Sequence, residues 1–284
     1  YPPGGSADKI ARILSEGLAT AGGAGIVVNR PGAGGTIGSG AVARAKGDGK
    51  TVLLGQISSH VLTPVSRTEV LPYDPQKDFK PVLLVGYMPT LFVARPGFAP
   101  NSLKELVALS KTADPAVNFG SSGVGTSGHV TVEMFKTMAG INMLHVPYTG
   151  VAPILTDMLG GRIDTMIAEV PAFLGHFARG VKPLAVVGPD RSALVPQVPT
   201  AAEQGFPDWN VQSWYGVFVP ATTPEDIRAE LEKQFAAAIR DPAIARKLAE
   251  SGLAKPGSAA ELQTLVDSEF RRWTTVFRDL KITD

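Results

Sequence analysis

The chain has 284 residues, 44% of them hydrophobic, with 27 basic against 26 acidic side chains for a formal net charge of +1. That is enough apolar material for one large or two ordinary domains, and the dispersed, balanced charge argues against nucleic acid, which needs a concentrated basic face. The absence of cysteine excludes disulfides, thiolate catalysis and cysteine metal sites, and no apolar run approaches the ~18 residues of a membrane span.

The chain opens on a loop, Tyr1-Pro-Pro-Gly-Gly5, ahead of which an upstream strand and a removed signal peptide are expected. Ser6 and Asp8 are candidate N-caps of a helix whose Ile10, Ile13, Leu14 and Leu18 share one face. Ile26-Val-Val28 predicts a short buried strand, Asn29 to Gly38 a glycine-rich turn, and Ser39 to Ala45 a helix. Val52-Leu-Leu54 is the next strand and runs into Gly55-Gln-Ile-Ser-Ser-His60. Leu83 to Val85 and Thr90 to Ala94 follow as strands, the second stopped by Pro96, and Asn101 or Ser102 caps a helix through Leu109.

The central stretch, Val117-Asn-Phe-Gly-Ser-Ser-Gly-Val-Gly-Thr-Ser-Gly-His129, predicts a strand end, a flexible turn and a helix start. Such a turn presents unpaired backbone N–H groups, several hydroxyls and the positive end of a helix to one point, a way to hold an anion without lysine or arginine. Gly123-Val-Gly125-Thr-Ser-Gly128 matches G-x-G-x-x-G formally, but that fingerprint needs an acid about 20 positions on. The next strand, Asn142-Met-Leu-His-Val-Pro-Tyr148, ends without one, so neither a dinucleotide nor any other cofactor is expected. A turn that merely packs a helix on a sheet is the plain alternative.

Beyond it, Val151 to Leu159 reads as a helix, Thr165 to Ala168 as a strand leading to Glu169, Pro171 to Ala178 as a helix, and Pro183 to Val187 and Trp214 to Val219 as strands. The rest turns helical, with starts at Thr223-Pro-Glu-Asp226, Asp241-Pro242 and the capping box Ser258-Ala-Ala-Glu261. Alternating strands and helices predict an α/β fold. Residues 1–95 with 220–284 are expected to form one lobe and 96–219 the other, each a mostly parallel sheet flanked by helices, with the ligand between them at the carboxyl ends of the strands.

Three separated stretches carry a family pattern: Tyr1-Pro-Pro-Gly-Gly-Ser-Ala-Asp8-Lys-Ile-Ala-Arg12; Asn29-Arg-Pro-Gly-Ala-Gly-Gly35; and Asn118 to His129 with His145-Val-Pro-Tyr-Thr-Gly150. With Pro72-Tyr-Asp74 and Trp214-Tyr-Gly-Val-Phe-Val-Pro220, the chain resembles, over nearly its whole length, the periplasmic solute receptors of tripartite tricarboxylate transporters, also called Bug receptors. The resemblance implies a two-lobed periplasmic-binding-protein (flytrap) fold, a periplasmic location, and a receptor that closes on a small carboxylate and delivers it to a membrane permease. It implies that the carboxylate is held by one loop from each lobe, partly through ordered water, and these loops map onto Tyr1 to Asp8 and Gly120 to His129. No enzymatic step is expected, and the receptor is expected to be a monomer.

On that footing the amides of Gly5, Ser6 and Ala7 are expected to face the anion, with Ser121, Ser122, Thr126 and Ser127 approaching from the other lobe. Ser58 and Ser59 offer hydroxyls from a third loop, and Tyr1 and Tyr148 wall the ligand. Asp8 reads better as a cap than as a contact, and His129 better as a holder of the loop. Glu169, at a strand end, would favour an amino-acid ligand if it faced inward. The alternative from another class is a hydrolase using Ser121 or Ser122 with His129, but the chain has no G-x-S-x-G elbow. The spacing of His60, His129, His145 and His176 offers no catalytic zinc site.

Overall fold

The computed structural model describes residues 1–66 and 70–280. Along the chain α1 (Ser6–Thr20), α2 (Thr36–Ala43) and β1 (Leu53–Gln56) lead to a π-helical turn, Ser58–Leu62, that continues into α3 (Thr63–Ser66). Then come β2 (Phe79–Met88), β3 (Thr90–Ala94), α4 (Leu103–Ser110), β4 (Asn118–Ser121), α5 (Ser127–Ala139), β5 (Leu144–Pro147), α6 (Val151–Leu159), β6 (Thr165–Glu169) and β7 (Lys182–Val187). β8 (Ser213–Pro220), α7 (Glu225–Arg240), α8 (Pro242–Glu250) and α9 (Ala259–Leu280) complete it.

These elements divide into two units, Tyr1–Tyr87 with Trp214–Asp279, and Met88–Ser213. The chain thus passes over at Tyr87–Met88 and Ser213–Trp214, so β3 belongs to the second unit and β8 to the first. The sequence reading set the crossings later, at the prolines that follow each of these strands.

In the first unit the sheet order is β1-β8-β2, with Gly55 of β1 opposite Gly216 of β8 in an antiparallel register. A Cβ on Gly216 would come within 2.6 Å of Leu262, which is how α9 lies directly on the sheet. Packed against Gly55 of β1, His60 of the turn Ser58–Leu62 is wholly buried and stacks on Phe218 at a centroid distance of 4.2 Å, and burial pushes its imidazole down to about 3, so it is neutral. The free side of β2 is covered by Ala254–Gly257: Leu84 and Gly257 exchange backbone hydrogen bonds of 3.1 and 2.9 Å, and Tyr87 and Ala254 bonds of 2.8 and 3.0 Å.

The second unit has the order β5-β4-β6-β3-β7. β4 is parallel to β5 and β6, whereas β3 runs antiparallel to β6 and β7. This sheet, expected to be mostly parallel, is therefore mixed. A continuous apolar run such as Leu91-Phe-Val93, buried on both faces, reads the same in either direction, so periodicity could not reveal it. One face carries Leu91 and Val93 with Ile154 and Met158 of α6. On the other, Phe92 packs at 5.4 Å edge-on to Trp209, which stacks on Phe135 of α5 at 4.4 Å. Trp209 pins this layer by donating Nε1–H to the Thr131 carbonyl at 2.7 Å.

Several helix starts follow the sequence chemistry. Ser102 accepts the Glu105 amide at 3.2 Å, Asp241 accepts those of Ala243 and Ile244, and Ser258 and Glu261 form the reciprocal capping box. Others need correction. α1 is capped by Gly5 rather than by Ser6 or Asp8, and α7 by Pro224, whose carbonyl accepts the first helical bond from Arg228, leaving Thr223 outside. Ile26-Val-Val28 forms no strand, and Ile26 and Val28 are 93% and 70% exposed, because three apolar residues make a strand only where another strand pairs with them.

Candidate functional site

In the first unit the opening loop is built from Gly4, which has a left-handed φ of 85°, and from the extended N-cap Gly5. The first backbone bond of α1 runs from Lys9 to the Gly5 carbonyl at 3.0 Å, so the amides of Ser6, Ala7 and Asp8 have no partner within the helix. Asp8 is buried and reaches back: its Oδ2 accepts the Gly4 amide at 2.9 Å and Arg12 Nε at 3.0 Å, while Oδ1 accepts Asn29 Nδ2 at 3.0 Å. Those bonds, the Arg12 guanidinium foremost, hold its carboxyl down to about 2. With Arg12 Nη2 also 3.0 Å from Oδ1, the carboxylate's four acceptor positions are taken, so Asp8 fixes the loop, consistent with a structural part.

Tyr1 is tied into the same construction. Its hydroxyl donates to the Gly34 carbonyl at 2.9 Å, and a Cβ on Gly35 (φ 96°) would collide with that hydroxyl at 2.6 Å, so this contact requires glycine. The Tyr1 hydroxyl is thus spent on the second glycine turn, and only its ring is left to wall a ligand. Of the serine pair after β1, Ser59 is buried and its hydroxyl is engaged with Gln56 and, at 3.0 Å, His60 Nδ1. Ser58 is partly exposed and is the member of the pair whose hydroxyl can reach outward. Two open depressions on this unit, one beside Gly49 and Ile227 and one beside Ser15 and Ile26, involve none of the predicted residues.

In the second unit three parallel strands, β5, β4 and β6, bring Tyr148, Ser121 and Glu169 to one carboxyl edge, since Ser121 pairs with Pro147 and Gly120 with Met166. This edge is the customary ligand position in α/β sheets. The turn from Ser122 to Thr126 stands on it and opens α5, whose first backbone bond runs from Val130 to Thr126 at 3.0 Å. The N-cap Thr126 makes no side-chain cap bond because its hydroxyl turns to the Gly123 carbonyl at 2.7 Å. The first-turn amides of Ser127, Gly128 and His129 are therefore available, and Ser122 and Ser127 are partly exposed beside them.

Of the remaining predicted groups, Ser121 and His129 support this turn, and Tyr148 and Glu169 are engaged elsewhere. Ser121 is 1% exposed and its hydroxyl is 2.6 Å from His145 Nε2, with Gly123 on its other side. His129 Nδ1 accepts the Gly125 amide at 3.2 Å. The Tyr148 hydroxyl donates to Asp157 at 2.8 Å, and burial, then that carboxylate, pushes its phenol up to about 12; its donation goes to Asp157 and not toward a ligand. Glu169 ends β6 opposite Thr90 and opens a short 3₁₀ turn.

The pairing of Ser121 with His129 does not form. Ser121 meets His145 instead of His129, its hydroxyl is buried and shared with Gly123, and among the described residues no carboxylate takes the other nitrogen of His145. The contact of His145 with Ser121 was not visible in the sequence; the parallel register of β5 against β4 brings it under the loop.

Over residues 10–282 the sequence matches the tripartite tricarboxylate transporter family receptor. The chain belongs to that family. It is 35% identical to protein BugT of Bordetella pertussis over 98% of this chain and 86% of that protein. To a protein encoded between tcbD and tcbE in a Pseudomonas species it is 34% identical, over 99% and 84%. Among solved structures, the periplasmic binding protein BugD superposes with a TM-score of 0.86 at 31% identity, covering 100% of this receptor and 96% of BugD. A Rhodopseudomonas palustris protein with adipate gives 0.90 at 31% identity over 100% and 95%, and MatC from the same species with bound malate gives 0.84 at 29% over 97% and 96%. The receptor family thus carries the flytrap class of fold expected from the motifs, and its solved members include carboxylate complexes.

Proposed function

We propose that this receptor captures a small carboxylate, a dicarboxylate or acidic amino acid, and delivers it without chemical change to a tripartite tricarboxylate-type membrane transporter. The observation that carries the reading is that each unit supplies a preset loop whose helix-opening amides have no internal partner: Ser6 to Asp8 in one, Ser127 to His129 in the other. A ligand carboxylate would be bound by main-chain donors of these loops and by Ser122 and Ser127, with water completing the shell. One helix end contributes only about 0.3–1 kcal/mol to an anion, so several amide and hydroxyl donors must add together to approach the ~8 kcal/mol of a micromolar complex. The adipate and malate in the solved relatives support the ligand class.

Among the described residues no helix is long and apolar enough to cross a membrane. Independently of that, we propose that the receptor works as a monomer in the periplasm. Native mass spectrometry of freshly purified protein, followed by calorimetry against four- to six-carbon diacids and acidic amino acids, tests the reading. A bound acid recovered unchanged supports it, while no retention and no heat across the panel, or turnover of the acid, ends it.

A further inference from the structure

The turn in the second unit is fastened by two imidazoles that lie against each other. His129, in the first turn of α5, stacks on His145 of β5 with centroids 4.0 Å apart and planes at 24°, and Phe119 stacks on His145 at 4.9 Å. One ring holds the middle of the turn through Gly125, and the other holds its start through Ser121.

The hydrogens can be assigned by counting. A serine hydroxyl has one hydrogen and two lone pairs. Ser121 Oγ accepts the Gly123 amide at 3.2 Å, lies 3.0 Å from the Gly123 carbonyl, and 2.6 Å from His145 Nε2. All three contacts are satisfied together only when the O–H goes to the carbonyl and His145 Nε2 carries its own hydrogen. His145 then donates whether neutral or charged. His129 is the opposite case: Nδ1 must keep its lone pair to accept Gly125, which places the hydrogen on Nε2, facing Glu133 Oε1 at 3.8 Å. A proton on Nδ1 would set two donors against each other and release Gly125.

We propose that His129 and His145 are positioning residues, a neutral clasp that sets the turn from Ser122 to Gly128 for a ligand carboxylate and that opens when His129 is protonated. The proposal deepens the carboxylate reading above and rests on it. The charged and titratable groups facing the pair are Glu133 and Lys136 of α5, themselves paired at 2.7 Å, and each imidazole faces the other across the stack. Burial and, next, Lys136 bring His129 down to about 4, and burial and then His129 do the same for His145. The clasp is therefore closed at neutral pH.

The decisive pair of variants is His129→Leu, which keeps bulk and loses the acceptor, and His129→Asn, whose Oδ1 is attached where Nδ1 is. Hydrogen exchange at the Gly125 amide, as a protection factor, and calorimetric affinity for malate and adipate are measured at neutral pH. In the leucine variant protection and affinity fall about tenfold, and the asparagine variant restores both. In the unsubstituted protein Gly125 protection is lost as pH falls through about 4, and in the asparagine variant it persists. Equal Gly125 protection in all three proteins, or its persistence in the unsubstituted protein well below that pH, overturns the clasp. Should the unsubstituted protein bind no diacid, the carboxylate reading fails, while the exchange comparison still decides the clasp.

Discussion

The two loops present the same chemistry outward and are held in opposite ways inward. The loop before α1 is braced by an ionised carboxylate, Asp8, locked between Arg12, Asn29 and the Gly4 amide. The loop before α5 is braced by neutral rings and a hydroxyl, through Gly125 to His129 and Ser121 to His145. A charge-assisted brace is strong and tolerates solvent nearby, whereas the imidazole brace bears no charge of its own at neutral pH. The lesson is that a helix-opening turn can be preset by either means, and the two should fail under different conditions.

The largest effect is expected from Ser122→Asp, which sets a carboxylate beside the free amides of α5. Like charges about 4 Å apart near a protein surface repel by about 4 kcal/mol, so affinity for malate or adipate should drop more than a hundredfold while the circular dichroism spectrum stays unchanged. Undiminished affinity would remove the second loop from the site.

Next comes Asp8→Ala, which frees the Gly4 amide and unpairs Arg12. Calorimetry should show roughly tenfold weaker binding, and the midpoint of urea unfolding should fall. An unaltered affinity would mean that the first loop keeps its shape without its brace.

The acid response separates the two braces more finely. His129 has its pKa depressed from 6.5 to about 4, so the unfolded chain takes up a proton that the folded one refuses. Its contribution to stability is complete above about pH 6.5 and declines as pH falls toward about 4. Asp8, depressed from 3.8 to about 2, contributes fully above the first value and loses its contribution as pH falls through the second. Urea unfolding as a function of pH should therefore show two windows. His129→Asn should flatten the upper one without abolishing it, because His60 and His145 are depressed in the same direction. No change of slope there would contradict the assignment of His129.

The smallest effect belongs to Tyr148→Phe. Since its hydroxyl serves Asp157, affinity should change less than about threefold, the loss of one partly exposed hydrogen bond. A tenfold loss would put the hydroxyl back among the ligand contacts.

Local chemistry that spans a few residues was legible in the sequence. The strand-turn-helix at Val117 to His129, the caps at Ser102 and Asp241 and the box at Ser258-Glu261 each involve partners within four positions, so their geometry is written in the spacing. What escaped depends on register between distant segments. Strand direction around β3, His145 beneath Ser121, and the Tyr1 hydroxyl on Gly34 arise from residues 24 to 97 positions apart, and no periodicity encodes them. The same cause removed Ile26-Val-Val28 from the strands, because a strand is a property of a pair. Asp8 was misplaced by one turn for a different reason: an acid near a helix start can serve as cap or reach back from the third helical position, and only the conformation of Gly5 separates the two.

The short segment laid along β2 has a bearing on how this chain keeps from sticking to itself. Between the bonds made by Ala254 and Gly257 sit Lys255, with a φ of 56°, and Pro256. A foreign strand arriving there would find a ring in place of an amide and a backbone twisted out of line, so the outermost border of this sheet offers no template for growth. Replacing Pro256 would make that border more regular, and a rise in turbidity of concentrated, folded protein would be the sign that a natural barrier to fibre-like association had been taken away.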